Sequence, residues 1–276
     1  MTLEDIRAAR KKKLEEIKRS GLQPYPARSG RTHAIKKALE SFNELKEQNA
    51  ALTLVGRVFS FREHGGLVFG ELRDGTGSIQ FVLKKDVLGD DYQMIQDVSD
   101  VGDVFQFTGI LFETKKGEKT IEVRKWAILA KSLRPLPEKW HGLMDTEERL
   151  RRRYLDLIMN SDVQQLFSKK GHFWQATREF LLAQGFQEVE TPVLEPIIGG
   201  ADAEPFTTHM RTLDIDLYLR ISPELHLKRL LIGGFEKVFE LGRIFRNEGI
   251  DREHLQDYTQ VEIYWAYADY KKMMQL

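Results

Sequence analysis

Val238-Phe-Glu-Leu-Gly-Arg-Ile-Phe-Arg246, followed after a polar stretch by Tyr258-Thr-Gln-Val-Glu-Ile-Tyr-Trp265, is the part of the sequence that decides the reading of this chain. Two apolar runs with strand character flank residues 247–257, which are polar and carry Glu248, Glu253 and His254. Arg246 closes the first run, and Glu262 falls inside the second, where it reads as a buried acid. Side chains alternate across a strand, so Glu240, Gly242, Ile244 and Arg246 share one face. On the second run Gln260, Glu262 and Tyr264 share a face, with Val261, Ile263 and Trp265 opposite. One side of this hairpin is built to pack and the other to do chemistry. Its loop is far longer than the usual two to five residues, which points to a ligand role.

Working backwards, Gly233-Gly234 ends a helix that Ser222-Pro223 starts as N-cap and first turn. Strands are expected near Phe206–His209 and Asp214–Arg220, and Phe186–Glu190 reads as a strand running into Pro192. A long helix is expected from an Asp162 N-cap to Gln184, stopped by Gly185. Another spans Thr146 to Ile158. Arg134-Pro-Leu-Pro-Glu138 is a stiff linker, because proline fixes φ and resists helix.

Ahead of the linker the pattern is that of short strands. Leu52–Arg62, Leu67–Leu72, Ser78–Leu83, Asp103–Phe112 and a run from Thr120 are separated by turn signals such as His64-Gly-Gly66 and Asp74-Gly-Thr-Gly77. A short helix at Tyr92–Asp97 lies between the third and fourth. Five strands interrupted in this way have the sequence shape of an OB barrel. Before them, residues 3–19 predict a basic helix with a thin stripe of Leu3, Ile6, Leu14 and Ile17, and residues 33–48 a second amphipathic helix.

The chain has 276 residues, enough for two cores, with 42 basic and 42 acidic side chains, so any nucleic-acid surface has to be local. There is no cysteine, which removes disulfides and thiolate metal sites. Met1 precedes a charged segment and no apolar run is long enough to span a bilayer, so a cytoplasmic protein is expected.

These elements together resemble the class II lysyl-tRNA synthetases of bacterial type. The hairpin resembles their motif 2, and Gly185-Phe-Gln-Glu-Val-Glu-Thr-Pro192 their motif 1. Gly199-Gly-Ala-Asp-Ala-Glu-Pro-Phe206 and Tyr218-Leu-Arg-Ile-Ser-Pro-Glu-Leu225 are similar to the amino-acid loop and helix. Leu133–Leu143 and Arg152-Arg-Tyr-Leu-Asp-Leu157 resemble the linker and first catalytic helix. The fold implied is α+β and multidomain: an N-terminal OB-fold β-barrel plus a partial class II antiparallel-sheet catalytic domain. The expected division is a helical extension at 1–50, an OB-fold anticodon-binding domain at 51–132, a linker at 133–145 and a catalytic domain at 146–276.

The activity implied is ATP-dependent formation of lysyl-adenylate and transfer of lysine to tRNA(Lys), by a homodimer formed through motif 1. Arg246 is expected to be catalytic, because a fixed guanidinium stabilises charge growing on the α-phosphate. Glu248, His254 and Tyr258 are expected around ATP or the tRNA end, with Tyr258 standing where the family usually stacks phenylalanine on adenine. Glu253 occupies a position that is often basic. For lysine, Glu262 is suited to the ε-ammonium, Tyr264 lies one step along the same face, Glu224 resembles the acid for the α-amino group, and Gly200 approaches through its backbone. On the barrel the resemblance implies that Phe69 stacks an anticodon base while Arg62, Gln80 and Glu118 contact bases or backbone nearby. Period two also allows Phe69, like Leu67, to be core. The lysine-rich first helix can track tRNA phosphates.

The family's motif 3, a Gly-x-Gly-x-Gly-x-Glu-Arg stretch carrying an ATP arginine, does not occur in the sequence. The Mg2+ ligands of the family lie near it. The expectation is therefore a synthetase truncated before motif 3 and inactive alone. Two alternatives stay open: a non-catalytic tRNA-binding module, and an aspartyl- or asparaginyl-tRNA synthetase. The latter needs extra basic groups for an anionic substrate, where this chain offers Glu262.

Overall fold

The computed structural model describes residues 2–137 and 143–276; the expected linker residue Glu138 and the stretch 139–142 of the resemblance lie outside the described residues. The chain divides into two compact units, Met1–Asn160 and Ser161–Leu276.

The first unit opens with α1 (Leu3–Arg19), whose Thr2 and Asp5 form a reciprocal capping box. The expected helix at 33–48 is two short ones, α2 (Ile35–Glu40) and α3 (Phe42–Glu47). The break at Ser41 lets both Ala38 and Phe42 turn into the barrel core. Then come β1 (Leu52–His64), β2 (Leu67–Arg73), β3 (Ser78–Lys84), α4 (Lys85–Leu88), α5 (Asp90–Val98), β4 (Val104–Glu113) and β5 (Lys119–Ala130). The strands close a barrel in the order β1-β2-β3-β5-β4. Only β3–β5 is parallel. Alternation is clean on β4, where Phe105, Phe107 and Leu111 point inward. Phe81 and Phe107 pack with centroids 4.8 Å apart at the centre of the barrel.

Two polar ties hold the helices to the barrel. Asp74, at the Asp-Gly turn, accepts from Thr76 N (2.7 Å) and Gly77 N (3.1 Å), and also from Ile35 N (3.0 Å) at the start of α2. On α1, Arg10 is buried and donates to the carbonyls of Ser132 (3.0 Å), Arg134 (3.0 Å) and Val101 (3.1 Å). Beside it Lys13 donates to Ser99 O (2.8 Å) and Asp100 (3.0 Å), and buried Lys131 pairs with Asp100 and Asp103. Two basic residues of the helix expected to track phosphates, Arg10 and Lys13, are thus anchors. Lys11 and Lys12 are the members of Arg10–Lys13 that face solvent. Leu3 of the predicted stripe is exposed, while Ile17 is buried.

The expected helix from Thr146 is also broken, into α6 (Thr146–Arg151) and α7 (Arg153–Met159). The break follows a side-chain demand: buried Asp156 takes hydrogen bonds from Arg149 (2.8 Å), Arg153 and Asn160 (2.6 Å), which needs the chain to turn at Arg152.

The second unit begins with α8 (Ser161–Ala183), so Asp162 sits in its first turn and not at the N-cap, still favourably placed against the helix dipole. There follow β6 (Gln187–Glu188), β7 (Leu194–Glu195), β8 (Thr207–Met210), β9 (Ile215–Leu219), α9 (Glu224–Ile232), β10 (Lys237–Phe245), β11 (Asp257–Trp265) and α10 (Tyr270–Met273). The expected strand at 186–190 shrinks to two residues, paired parallel to β10. One sheet has the order β11-β10-β6 and the other β7-β9-β8. On the packing side of the hairpin Phe239, Val261, Ile263 and Trp265 meet Leu181 of α8 and Phe186. Phe186 and Trp265 contact edge-to-face at 5.6 Å.

Candidate functional sites

The β10–β11 register places Glu240 opposite Glu262, Gly242 opposite Gln260 and Val238 opposite Tyr264, so the polar face is a shared one. Glu262 is part-buried rather than buried; the acid sealed from solvent is Glu240. Three donors converge on Glu262. Ser222 Oγ and Gln260 Nε2 each reach Oε1 at 2.7 Å, and the Tyr264 hydroxyl reaches Oε2 at 3.1 Å. Burial, with the charges of Glu262 and Glu224 beside it, pushes the Tyr264 phenol well above its ordinary value, so it stays a donor.

The same residues lead to Gly200 and Glu224. Ser222 Oγ accepts from Glu224 N at 3.1 Å, so the N-cap of α9 is Pro223 while the capping oxygen comes from the residue before it. Gly200 has φ +87, and a Cβ there would stand 3.1 Å from Glu224 Cβ and 3.2 Å from Ser222 Oγ. Only glycine brings its backbone this close. Glu224 itself is held by Lys228, one turn along α9, at 2.5 Å. Gly200, Glu224, Glu262 and Tyr264 are thus one cluster.

Arg246 follows the end of β10. Its backbone N–H donates to Gln256 O (2.8 Å), its Nε reaches Ile221 O (3.4 Å), and its guanidinium lies 5.8 Å from the Tyr258 ring centre. Arg246, Glu248, His254 and Tyr258 line one cavity of about 270 Å³ under the hairpin loop, with Gln256 and Glu253. Asp251 shapes that loop. It accepts from Glu253 N, His254 N and the His254 ring, each at 2.7 Å, and these bonds hold its carboxyl below the ordinary range.

On the barrel, Arg62 pairs across the strands with Phe69, and Glu71 with Gln80. Arg62, Phe69, Gln80 and Glu118 line a single groove of about 540 Å³. Phe69 is half-exposed on its wall, while Val68 and Leu72 on either side are core. Gln80 is fixed by the Thr120 hydroxyl at 2.8 Å.

Sequence reading missed the group under the hairpin. Arg220 and Glu240 form a buried ion pair, and the Thr191 hydroxyl donates to Glu240 at 2.6 Å. Arg220 also donates to Arg243 O (3.0 Å) and Thr191 O (3.2 Å), and its carbonyl accepts from Phe245 N (3.1 Å). A Cβ at Gly242 would strike the Arg220 guanidinium, which is why that strand position is glycine. The alternation of the hairpin gave Glu240 a place on the polar face but no partner. A second missed pair is His226 Nε2 with buried Glu195 at 2.9 Å; burial pushes this carboxyl up despite the histidine.

No group of three or more acidic, histidine or cysteine side chains suited to a metal ion occurs among the described residues. No helix among them is long and apolar enough to cross a membrane.

Residues 145–276 match the family of class II tRNA synthetases (D, K and N), and residues 52–129 match the OB-fold nucleic acid binding domain. The chain is 47% identical over 274 residues to the lysine--tRNA ligase of Carboxydothermus hydrogenoformans, covering 99% of this chain and 56% of that protein. It is 49% identical over 273 residues to that of Moorella thermoacetica, covering 99% and 55%. With the Chloroflexus aurantiacus ligase it shares 48% over 278 residues, covering 100% and 57%. The chain spans about half the length of these curated relatives. The chain thus carries an OB-fold nucleic acid binding domain at 52–129 followed by a class II tRNA synthetase (D, K and N) domain at 145–276.

Proposed function

We propose that the protein acts as a lysine--tRNA ligase, activating L-lysine with ATP and passing it to tRNA(Lys). The observation that carries this is Glu262, an acid held by three donors beside Gly200 and Glu224 on the face where a substrate would lie. An anion so prepared takes the lysine ε-ammonium, and an unpaired carboxylate there penalises neutral analogues. Glu224 takes the α-amino group, exchanging Lys228 for it. An aspartate side chain would face Glu262 and Glu224, so the aspartyl reading loses its electrostatic basis.

With lysine so placed, one oxygen of its carboxylate attacks the α-phosphorus of ATP. A C–O–P anhydride forms, the bond to the β-phosphate oxygen breaks, and pyrophosphate leaves. Arg246 stabilises the charge that develops on the α-phosphoryl oxygens. Tyr258 stacks the adenine, and Glu248 and His254 border the same cavity. A ribose hydroxyl of the tRNA end then attacks the lysyl carbonyl and releases AMP. Residues 51–132 read the anticodon, with Phe69 as stacking platform and Arg62, Gln80 and Glu118 beside it. Residues 146–276 carry the activation chemistry. A second copy docks on α8, whose Leu166, Phe167 and Phe173 are exposed. The setting proposed is the cytoplasm, with Mg2+ accompanying ATP.

The test is lysine-dependent ATP–pyrophosphate exchange, measured for these 276 residues and for the longest reading frame that contains them. Exchange by the longer product and none by the 276 residues is expected, since motif 3 is not among them. A longer product that exchanges with aspartate or asparagine and not with lysine would contradict the proposal.

A further inference from the structure

A carboxylate offers about four lone-pair directions, two on each oxygen. Three of those on Glu262 are filled from within the protein. Oε1 takes both Ser222 Oγ and Gln260 Nε2, at 2.7 Å each, and Oε2 takes the Tyr264 hydroxyl at 3.1 Å. Among the described residues no donor takes the remaining acceptor direction, on Oε2, next to Tyr264. A primary ammonium needs only one, because it is a point charge with rotatable donors. A guanidinium gains most of its advantage from a planar fork that bonds both carboxylate oxygens at once. Here Oε1 is closed to it.

The geometry points to Ser222 and Gln260 as positioning residues that make Glu262 accept a primary ammonium and refuse a guanidinium, so that lysine is preferred to arginine. This rests on the assignment of Glu262 to the substrate side chain. Tyr264 contributes differently, since its hydroxyl lies on the oxygen that stays open.

The two residues are held to their task. Ser222 is buried, and its hydroxyl both donates to Glu262 and accepts from Glu224 N. Gln260 sits opposite Gly242 in the register, where the Arg220 guanidinium lies against β10 in place of a side chain. Removing either frees a lone pair on Oε1 and lets the carboxylate meet a fork.

The experiment is a nuclear magnetic resonance titration of the chain with L-lysine and, separately, L-arginine. It compares the wild type with Ser222→Ala, Gln260→Leu, the double variant and Ser222→Thr. The wild type is expected to favour lysine. The ratio of lysine to arginine affinity should fall about tenfold or more in the double variant, the scale of one lost discriminating contact. It should return in Ser222→Thr, which keeps the hydroxyl; a structural defect would weaken both ligands alike and leave the ratio. Gln260→Leu keeps the test alive if Ser222→Ala, which also loses the bond from Glu224 N, fails to fold. An unchanged ratio in the folded variants overturns the inference while leaving Glu262 as the lysine acid. Absence of lysine binding to the wild type overturns the assignment of Glu262, and the inference with it.

Discussion

Arg220 and Glu240 meet as a sealed ion pair on the chemical face of the hairpin, each about 3% exposed. Around them converge the two runs of sequence that flank the site. Arg220 is followed by Ile221, whose carbonyl holds Arg246, and by Ser222, which holds Glu262. Thr191, from the motif 1 stretch, completes the pair. The proposed phosphate arginine and lysine acid therefore hang from one tripeptide, and that tripeptide is fastened by a buried charge.

Breaking this pair on one side should be expensive. Glu240→Ala leaves the Arg220 guanidinium buried without its carboxylate, at a cost of about 3–5 kcal/mol. Urea unfolding of the chain measures it. The double variant Arg220→Met, Glu240→Leu should recover much of that loss, because two apolar side chains leave no charge unpaired.

The barrel has its own half-buried carboxylate with a pH signature. Burial pushes the Asp74 carboxyl up, but the N–H groups of Ile35 and Thr76, the Thr76 hydroxyl and Arg31 outweigh it and hold it below its ordinary value of 3.8. A carboxyl lowered on folding gives stability that is present above its unfolded pKa and lost as pH falls through the folded one. Asp74→Asn keeps one oxygen acceptor and loses the charge, at a cost of about 1 kcal/mol at neutral pH. Chemical unfolding across pH should show the gap between wild type and variant closing below pH ~4.

Phe69 stands on the groove wall and outside the core, so its loss should touch binding and not folding. Phe69→Ala is expected to weaken a single-stranded anticodon-loop RNA by about 1–3 kcal/mol, the worth of one stacked base. Fluorescence anisotropy reads the affinity. An equal affinity, or a fall in thermal stability that accounts for the loss, would return Phe69 to a packing role.

Most of the fold was legible because its signals are local. Period-two alternation at Val104–Glu113 and Val261–Trp265 and the turn chemistry at Asp74-Gly75 act over a few residues. What the sequence hid was the pairing of individual side chains, at short range as well as long. Helical periodicity does not say that Arg149, Arg153 and Asn160 will wrap Asp156 with a helix break at Arg152. Nothing near Arg220 says that Glu240 will meet it. The candidate site residues come from the hairpin pattern and the family resemblance together, and the structure gathers Gly200, Glu224, Glu262 and Tyr264 into one cluster. Of their orienting partners, Gln260 already shared a face with Glu262 in the alternation, whereas Ser222 read only as a helix start and its bond to Glu262, forty residues away, shows only in the fold.

The account turns on Glu262 as the anion that holds the substrate ammonium. Calorimetric titration of L-lysine into the wild-type chain and into Glu262→Gln tests it most directly. The account predicts saturable binding to the wild type and a loss of about 100-fold or more in the variant, the scale of a charged hydrogen bond removed from a part-buried site. Equal affinity for lysine in the two proteins, with both folded, would contradict it.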